Sequence, residues 1–295
     1  MPVSTVAHTV DNREIVVGTD GSPCATAAVR WAAEEAALRE VPLRVLLAHD
    51  TGPRFGGEPG LHPEQVDAIL DAGADAARRV DRDLDVRPQQ VVGWAVPALL
   101  NAAGGAGMLV VGSRGHGGFA SLLLGSVCQQ VASRAPCAVA MVREGVHAGP
   151  VVVGSDGSEP ARGALAVGFR LADERHAPLL AVRAYYPPTP PLGYGYQSLV
   201  HAVGDLDQAT ADRLAGDLRP WRQRYPTVRV DTAVVHGSAA GALVEQSRDA
   251  LAVVVGSHGR GRVTGALHGS VGPHLLRHAR CPVMVTHERQ RAAVT

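Results

Sequence analysis

The stretch Leu109–Val127, LVVGSRGHGGFASLLLGSV, decides the fold, because it returns at Val253–Val271 as VVVGSHGRGRVTGALHGSV. Each copy runs from an apolar strand into Gly-x2-Gly-x9-Gly-Ser. The residues are Gly112, Gly115, Gly125 and Ser126 in the first copy, and Gly256, Gly259, Gly269 and Ser270 in the second. Aligned without a gap, Val110–Val142 and Val254–Thr286 share 13 of 33 residues, so the chain reads as a tandem repeat. A strand that empties through glycines onto a helix start suits an anion. The backbone approaches closely, and the first helical turn offers N–H groups and partial positive charge. Gly112 and Gly115 are then expected along a ribose and a first phosphate, with Gly125 and Ser126 at the outer phosphates. The alternative is a plain strand-to-helix turn capped by Ser126; matching spacing in two copies favours the cradle.

Working outward, short β-branched runs predict four more strands in each half, separated by helical spacing. In the first half they include IVVGT from Ile15 and LRVLLAH from Leu43; in the second, VVVGS from Val151 and LLAVRA from Leu179. Five apolar strands alternating with helices predict an α/β fold of two doubly wound domains, 1–146 and 147–295, each with a parallel sheet covered on both faces. Ligands of such sheets sit beyond the carboxyl ends of the strands. Asp20 with Gly112, and Asp156 with Gly256, should flank those crevices. The aspartates are 136 apart and the glycines 144, which places eight extra residues in a Pro/Tyr/Gly-rich loop at Tyr185–Gln197.

Composition excludes much chemistry. The 28 basic residues are all arginine, so a Walker lysine, a kinase strand lysine and a Schiff-base amine are absent. Net charge is zero and aromatics are 4%, which argues against a nucleic-acid partner. Cys24, Cys128, Cys137 and Cys281 form no C-x2-C pair and read as free buried thiols in a reducing cytoplasm. Val91–Ser113 carries no charge, yet Gly93, Pro97, Asn101 and Gly104-Gly105 divide it into strand, helix and strand, so no membrane span is expected. No catalytic set and no metal-ligand set stands out, which points to binding rather than rapid turnover.

Asp20 and Asp156 admit two roles, a turn residue or a contact to base, ribose or metal. Because Ser22 and Ser158 already supply helix caps, the aspartates are assigned to ligand. Arg114, Arg260, Arg262, His116, His258 and His268 line the loops as contacts or as solvated side chains. Gly115-x-Gly117-x-x-Ala120 matches a dinucleotide fingerprint only loosely, since it follows the fourth strand rather than the first.

The doubled Gly-x2-Gly-x9-Gly-Ser, the strand-end aspartates in IVVGTDGSP and VVVGSDGSE, and the Arg-Cys-Pro-Val start of the final strand resemble a tandem universal stress protein. The resemblance spans about 14–143 and 150–287. It implies a flavodoxin-like, five-stranded sheet of order 3-2-1-4-5 in each domain, and binding of ATP with Mg2+ held through the phosphates. By position, it puts Asp20 and Ala48, and Asp156 and Ala184, against adenine, with Val111, Gly112, Val255 and Gly256 by the ribose. Gly115, Gly125, Ser126 and Val127, like Gly259, Gly269, Ser270 and Val271, would take the phosphates. It also implies dimerisation through last strands: the two halves would pair that way within one chain, and two chains would pair again as a homodimer. Gly272-Pro273 and a more cationic second loop leave room for unequal affinities. Three functions stay open: an ATP-binding stress regulator, a slow ATPase or phosphotransferase, and a protein-interaction module working through Tyr185–Tyr196 with vestigial sites.

Overall fold

The structure is a computed structural model that describes residues 13–50, 61–115, 124–187, 196–257 and 271–287. In the first half, strands β1 (Ile15–Gly18), β2 (Leu43–His49), β3 (Val86–Val92), β4 (Met108–Gly112) and β5 (Ala138–Val142) alternate with helices α1 (Pro23–Leu38), α2 (Pro63–Arg78), α3 (Ala95–Ala103) and α4 (Ser126–Arg134). The second half repeats the series as β6 (Val151–Gly154), α5 (Glu159–Glu174), β7 (Leu179–Tyr185), α6 (Tyr196–Arg224), β8 (Val230–His236), α7 (Ala239–Gln246), β9 (Ala252–Gly256), α8 (Val271–His278) and β10 (Val283–Thr286). Tyr185, expected in a loop, closes β7. Helix α6 begins at Tyr196, inside the expected loop, and runs through Pro220. Among the described residues, no helix is long and apolar enough to cross a membrane.

Each half has the expected order 3-2-1-4-5, and the two form one ten-stranded sheet, β3-β2-β1-β4-β5-β10-β9-β6-β7-β8. All neighbours are parallel except β5 and β10, which pair antiparallel through Val139–Val285, Ala140–Met284 and Met141–Val283. That single reversal turns the halves head to tail, so their carboxyl strand ends lie at opposite edges of the sheet. Strand side chains alternate between two cores. Ile15, Val17, Val45 and Leu47 pack under α1 and α2 in a core continuous with Phe169 and Leu214 of the second half. Val16, Leu46, Leu109 and Val111 pack on the opposite face with Cys128 and Leu275. Edge strand β3 carries Pro88, which lacks the N–H that would recruit a further strand.

Two groups of side-chain contacts reinforce the join. Arg143, just past β5, donates its Nη2 to the carbonyls of Leu276 (2.7 Å) and Arg277 (3.1 Å), placing a cation at the end of α8 where carbonyl dipoles favour it. On the α1–α5 face, Arg175 donates to Glu34 (2.8 Å) and Glu35 (2.7 Å), while Arg39 reaches Glu174 (3.3 Å) and also pairs with Glu35. Glu35 is wholly buried. Burial raises the pKa of Glu174, opposed by the Arg39 and Arg170 guanidiniums, and it lowers that of Arg170.

Candidate functional site

The crevice of the first half forms where β1 and β4, adjacent in the sheet, release their chains in opposite directions. After β1 the chain turns through Asp20 and Gly21, the latter at φ +81°, where glycine carries no steric cost. Asp20 Oδ1 accepts the Ser22 N–H at 3.0 Å, and Ser22 Oγ accepts the Ala25 N–H at 3.2 Å as cap of α1. The second half repeats this closely: Gly157 at φ +79°, Asp156 Oδ1 accepting from Ser158 N–H at 2.9 Å, and Ser158 Oγ from Ala161 N–H at 3.4 Å. This corrects the sequence argument that the serine caps relieve the aspartates of turn duty. Turn and cap satisfy different N–H groups, so each half uses both residues. One oxygen of each aspartate thus serves the turn.

In the first half the other oxygen meets the glycine loop. A Cβ built on Gly115 would stand 2.2 Å from Asp20 Oδ2, so the loop and the carboxylate are as close as a glycine permits. The strand-end aspartate and the second motif glycine, 95 positions apart in sequence, are therefore brought together. Gly125 N–H donates to Ser113 O at 2.9 Å, which ties the start of α4 to the end of β4. That bond uses the N–H which the sequence reading had offered to phosphate. The donors facing outward at this turn are those of the first residues of α4, beginning with Ser126 and Val127, which have no helical carbonyl to bond. Ser126 is exposed and Val127 half-buried.

Gly112 has a different reason to be glycine. A Cβ there would lie 2.8 Å from the Cys24 carbonyl carbon and 2.9 Å from its oxygen, on the backbone of α1. In the second half a Cβ on Gly256 would lie 2.7 Å from Pro160. These glycines seat the first helix of each half on its fourth strand. Gly112→Ala is expected to lower unfolding free energy by about 1–3 kcal/mol, because backbone rather than a rotatable side chain must yield. Urea denaturation would measure it, and an unchanged midpoint would contradict the packing argument.

Val111 and Val255 are buried beside these glycines, and Ala48 and Ala184, near the ends of β2 and β7, are half-buried at the same edge of their halves. Gly256 and Val271 are described; Gly259, Gly269 and Ser270, with Arg260, Arg262, His258 and His268, lie outside the described residues, as does His116. The cysteines are all free and buried. Burial pushes the Cys128 and Cys281 thiols up to about 12, which makes them poor nucleophiles.

Two groups near the strand ends escaped the sequence reading. Arg183, buried in β7 where the first half has Leu47, donates Nε to Ser155 O (3.0 Å) and Nη2 to Asp217 (2.7 Å), holding the carbonyl just before Asp156. Tyr185 and His236 both bond Asp207 Oδ1, at 2.8 and 2.7 Å, pinning α6 to the ends of β7 and β8. Comparing the two halves residue by residue exposes the first of these, as an arginine opposite a leucine.

The family model described as Universal stress protein family matches residues 11–143 and again 148–287. Universal stress protein Rv2005c of Mycobacterium tuberculosis is 38% identical over 297 residues, covering 93% of this chain and 97% of that protein. Universal stress protein Rv2623 of the same organism is 35% identical over 304 residues, covering 93% and 96%. A universal stress protein from Archaeoglobus fulgidus, solved by crystallography, shares the fold with a TM-score of 0.66 at 17% identity, over 94% of this chain and 96% of that one.

Proposed function

Because this chain belongs to the universal stress protein family, we propose that it is a stress-response regulator that binds ATP, one molecule per half, and senses it rather than consuming it rapidly. The observation that carries the reading is the contact of the Asp20 carboxylate with Gly115, beside an α4 N-terminus tied to β4 through the Gly125–Ser113 bond. A triphosphate needs donors without bulk, and the first turn of α4 supplies them with its partial positive charge. The adenosine end falls toward Asp20 and Ala48. The residues fit such a ligand: they supply main-chain donors and a glycine cradle, and Mg2+ would arrive on the phosphates, neutralising charge that no lysine can.

The second half carries the same turn, the same seated glycine and the same motif, and it is assigned the same ligand. With β5 and β10 spent on each other, a second copy of the chain would need a different surface for a homodimer. Acid extraction of protein purified without added nucleotide is expected to release ATP, identified by chromatography, and equilibrium dialysis should approach two ATP per chain. Protein that releases none, and takes up none on dialysis with Mg2+, would falsify the assignment.

A further inference from the structure

The two crevices share a backbone but differ at one rim position. β3 and β8 end alike: Gly93 N–H donates to His49 O and Gly237 N–H to Tyr185 O, both at 2.8 Å, with both glycines at positive φ. The next residue starts a helix. In the second half it is Ser238, whose Oγ accepts the Gly241 N–H at 3.3 Å and caps α7. In the first half it is Trp94, which makes no side-chain cap bond to α3 and is 73% exposed. Serine is among the preferred residues at a helix start and large apolar residues are not, so the first half forgoes a cap that its own repeat retains. A large aromatic left in water is the less common finding and asks for a partner.

Its place in the fold narrows that partner. α3 packs against β2, β1 and α4, on the face that holds Ala48 and Val111. Its N-terminus stands at the same edge as the start of α4. Leu99, in the second turn of α3, lies over Gly18, 2.9 Å from where a Cβ would be and two residues before Asp20. With phosphates at α4, the other end of a nucleotide extends over β1 and β2 toward the tip of α3. Resting on the ATP reading above, we propose that Trp94 is a specificity-determining residue of the first site, a stacking surface for the nucleobase that the second site lacks. The two sites then differ in what they recognise. The first reads a planar base as well as the phosphates, and the second depends on main-chain and carboxylate contacts.

The test uses the full chain and the exposed substitution Trp94→Ser, which copies the second half and should leave the fold intact. ATP binding is followed by calorimetry, with inorganic tripolyphosphate as a ligand that has no base. Wild-type protein is expected to show two ATP affinities, and Trp94→Ser to weaken the tighter one on the order of 10-fold, the range of base–aromatic stacking. Tripolyphosphate should bind both proteins equally. Acrylamide quenching of tryptophan emission should fall on adding ATP to the wild type and remain unchanged in the variant. Equal ATP affinities for wild type and variant overturn the inference while leaving the ATP reading in place. Equal weakening of ATP and tripolyphosphate also overturns it, since that reports a displaced helix. A wild type that binds neither ligand removes the ATP reading, and the inference falls with it.

Discussion

Gly115→Ala should empty the first ATP site and leave the second filled. The new methyl would stand 2.2 Å from Asp20 Oδ2, far inside contact distance. Asp20 cannot simply swing away, because Oδ1 of the same carboxylate holds the Ser22 N–H that shapes the turn into α1. Either that bond breaks or the loop lifts off the crevice, and both remove contacts on which the ligand depends. A hydrogen bond to a charged group is worth about 1.5–3 kcal/mol, so affinity at this site should fall roughly 10- to 150-fold. Stability should fall by no more than the roughly 1 kcal/mol of the turn's hydrogen bond, because Gly115 is exposed and a Cβ there would meet Asp20 rather than a core side chain. Calorimetry would then count one ATP per chain instead of two, the tighter affinity being the one lost, with the thermal midpoint lowered by about 2–4 °C at most. Two sites of unchanged affinity in the variant would remove Gly115 and Asp20 from the binding surface.

Glu35→Ala is expected to be the most damaging surface-distant change for stability. Glu35 is fully buried and accepts from both Arg39 and Arg175, one guanidinium from each half. Removing it leaves two enclosed cations to share Glu34 and Glu174, the first of which is much more exposed. Breaking a buried ion pair by deleting one partner typically costs about 3–5 kcal/mol. Those remaining carboxylates place the expected loss toward about 3 kcal/mol. Urea unfolding followed by circular dichroism would read it directly. A loss below about 1 kcal/mol would mean that water reaches the cluster and that it contributes little to joining the halves. ATP affinity in the folded protein should be unaffected, since the cluster sits at the far ends of α1 and α5 from Ser22 and Ser158.

The strands and their alternation with helices were legible because β-branched runs and glycine breaks act locally. Sheet order came from the resemblance and holds in each half. The aspartates were half legible. Their strand-end position is clear, but the presence of Ser22 and Ser158 as caps tips the sequence toward ligand contact over the Asx turn, although turn and cap bond different N–H groups. The α1–α5 cluster was not legible at all. Glu35 and Arg175 are 140 residues apart, and Glu35 among alanines of α1 looks like an ordinary solvent-facing charge until the second half covers it. Trp94 was visible as a letter but not as an anomaly. Its meaning emerges only when Ser238 is set against it at the same turn of the same fold.

Among the described strands, the one antiparallel pairing, β5 against β10, sets how far apart the two crevices lie. Since the mouths look away from each other, no compact ligand can straddle both; a bridging compound would have to travel the length of a five-residue strand, about 17 Å, and wrap around the rim. Occupancy of one mouth leaves the other sterically untouched. A partner docking on one pole would meet that pole alone, so a single polypeptide presents two separately addressable faces, like the opposite terminals of a battery.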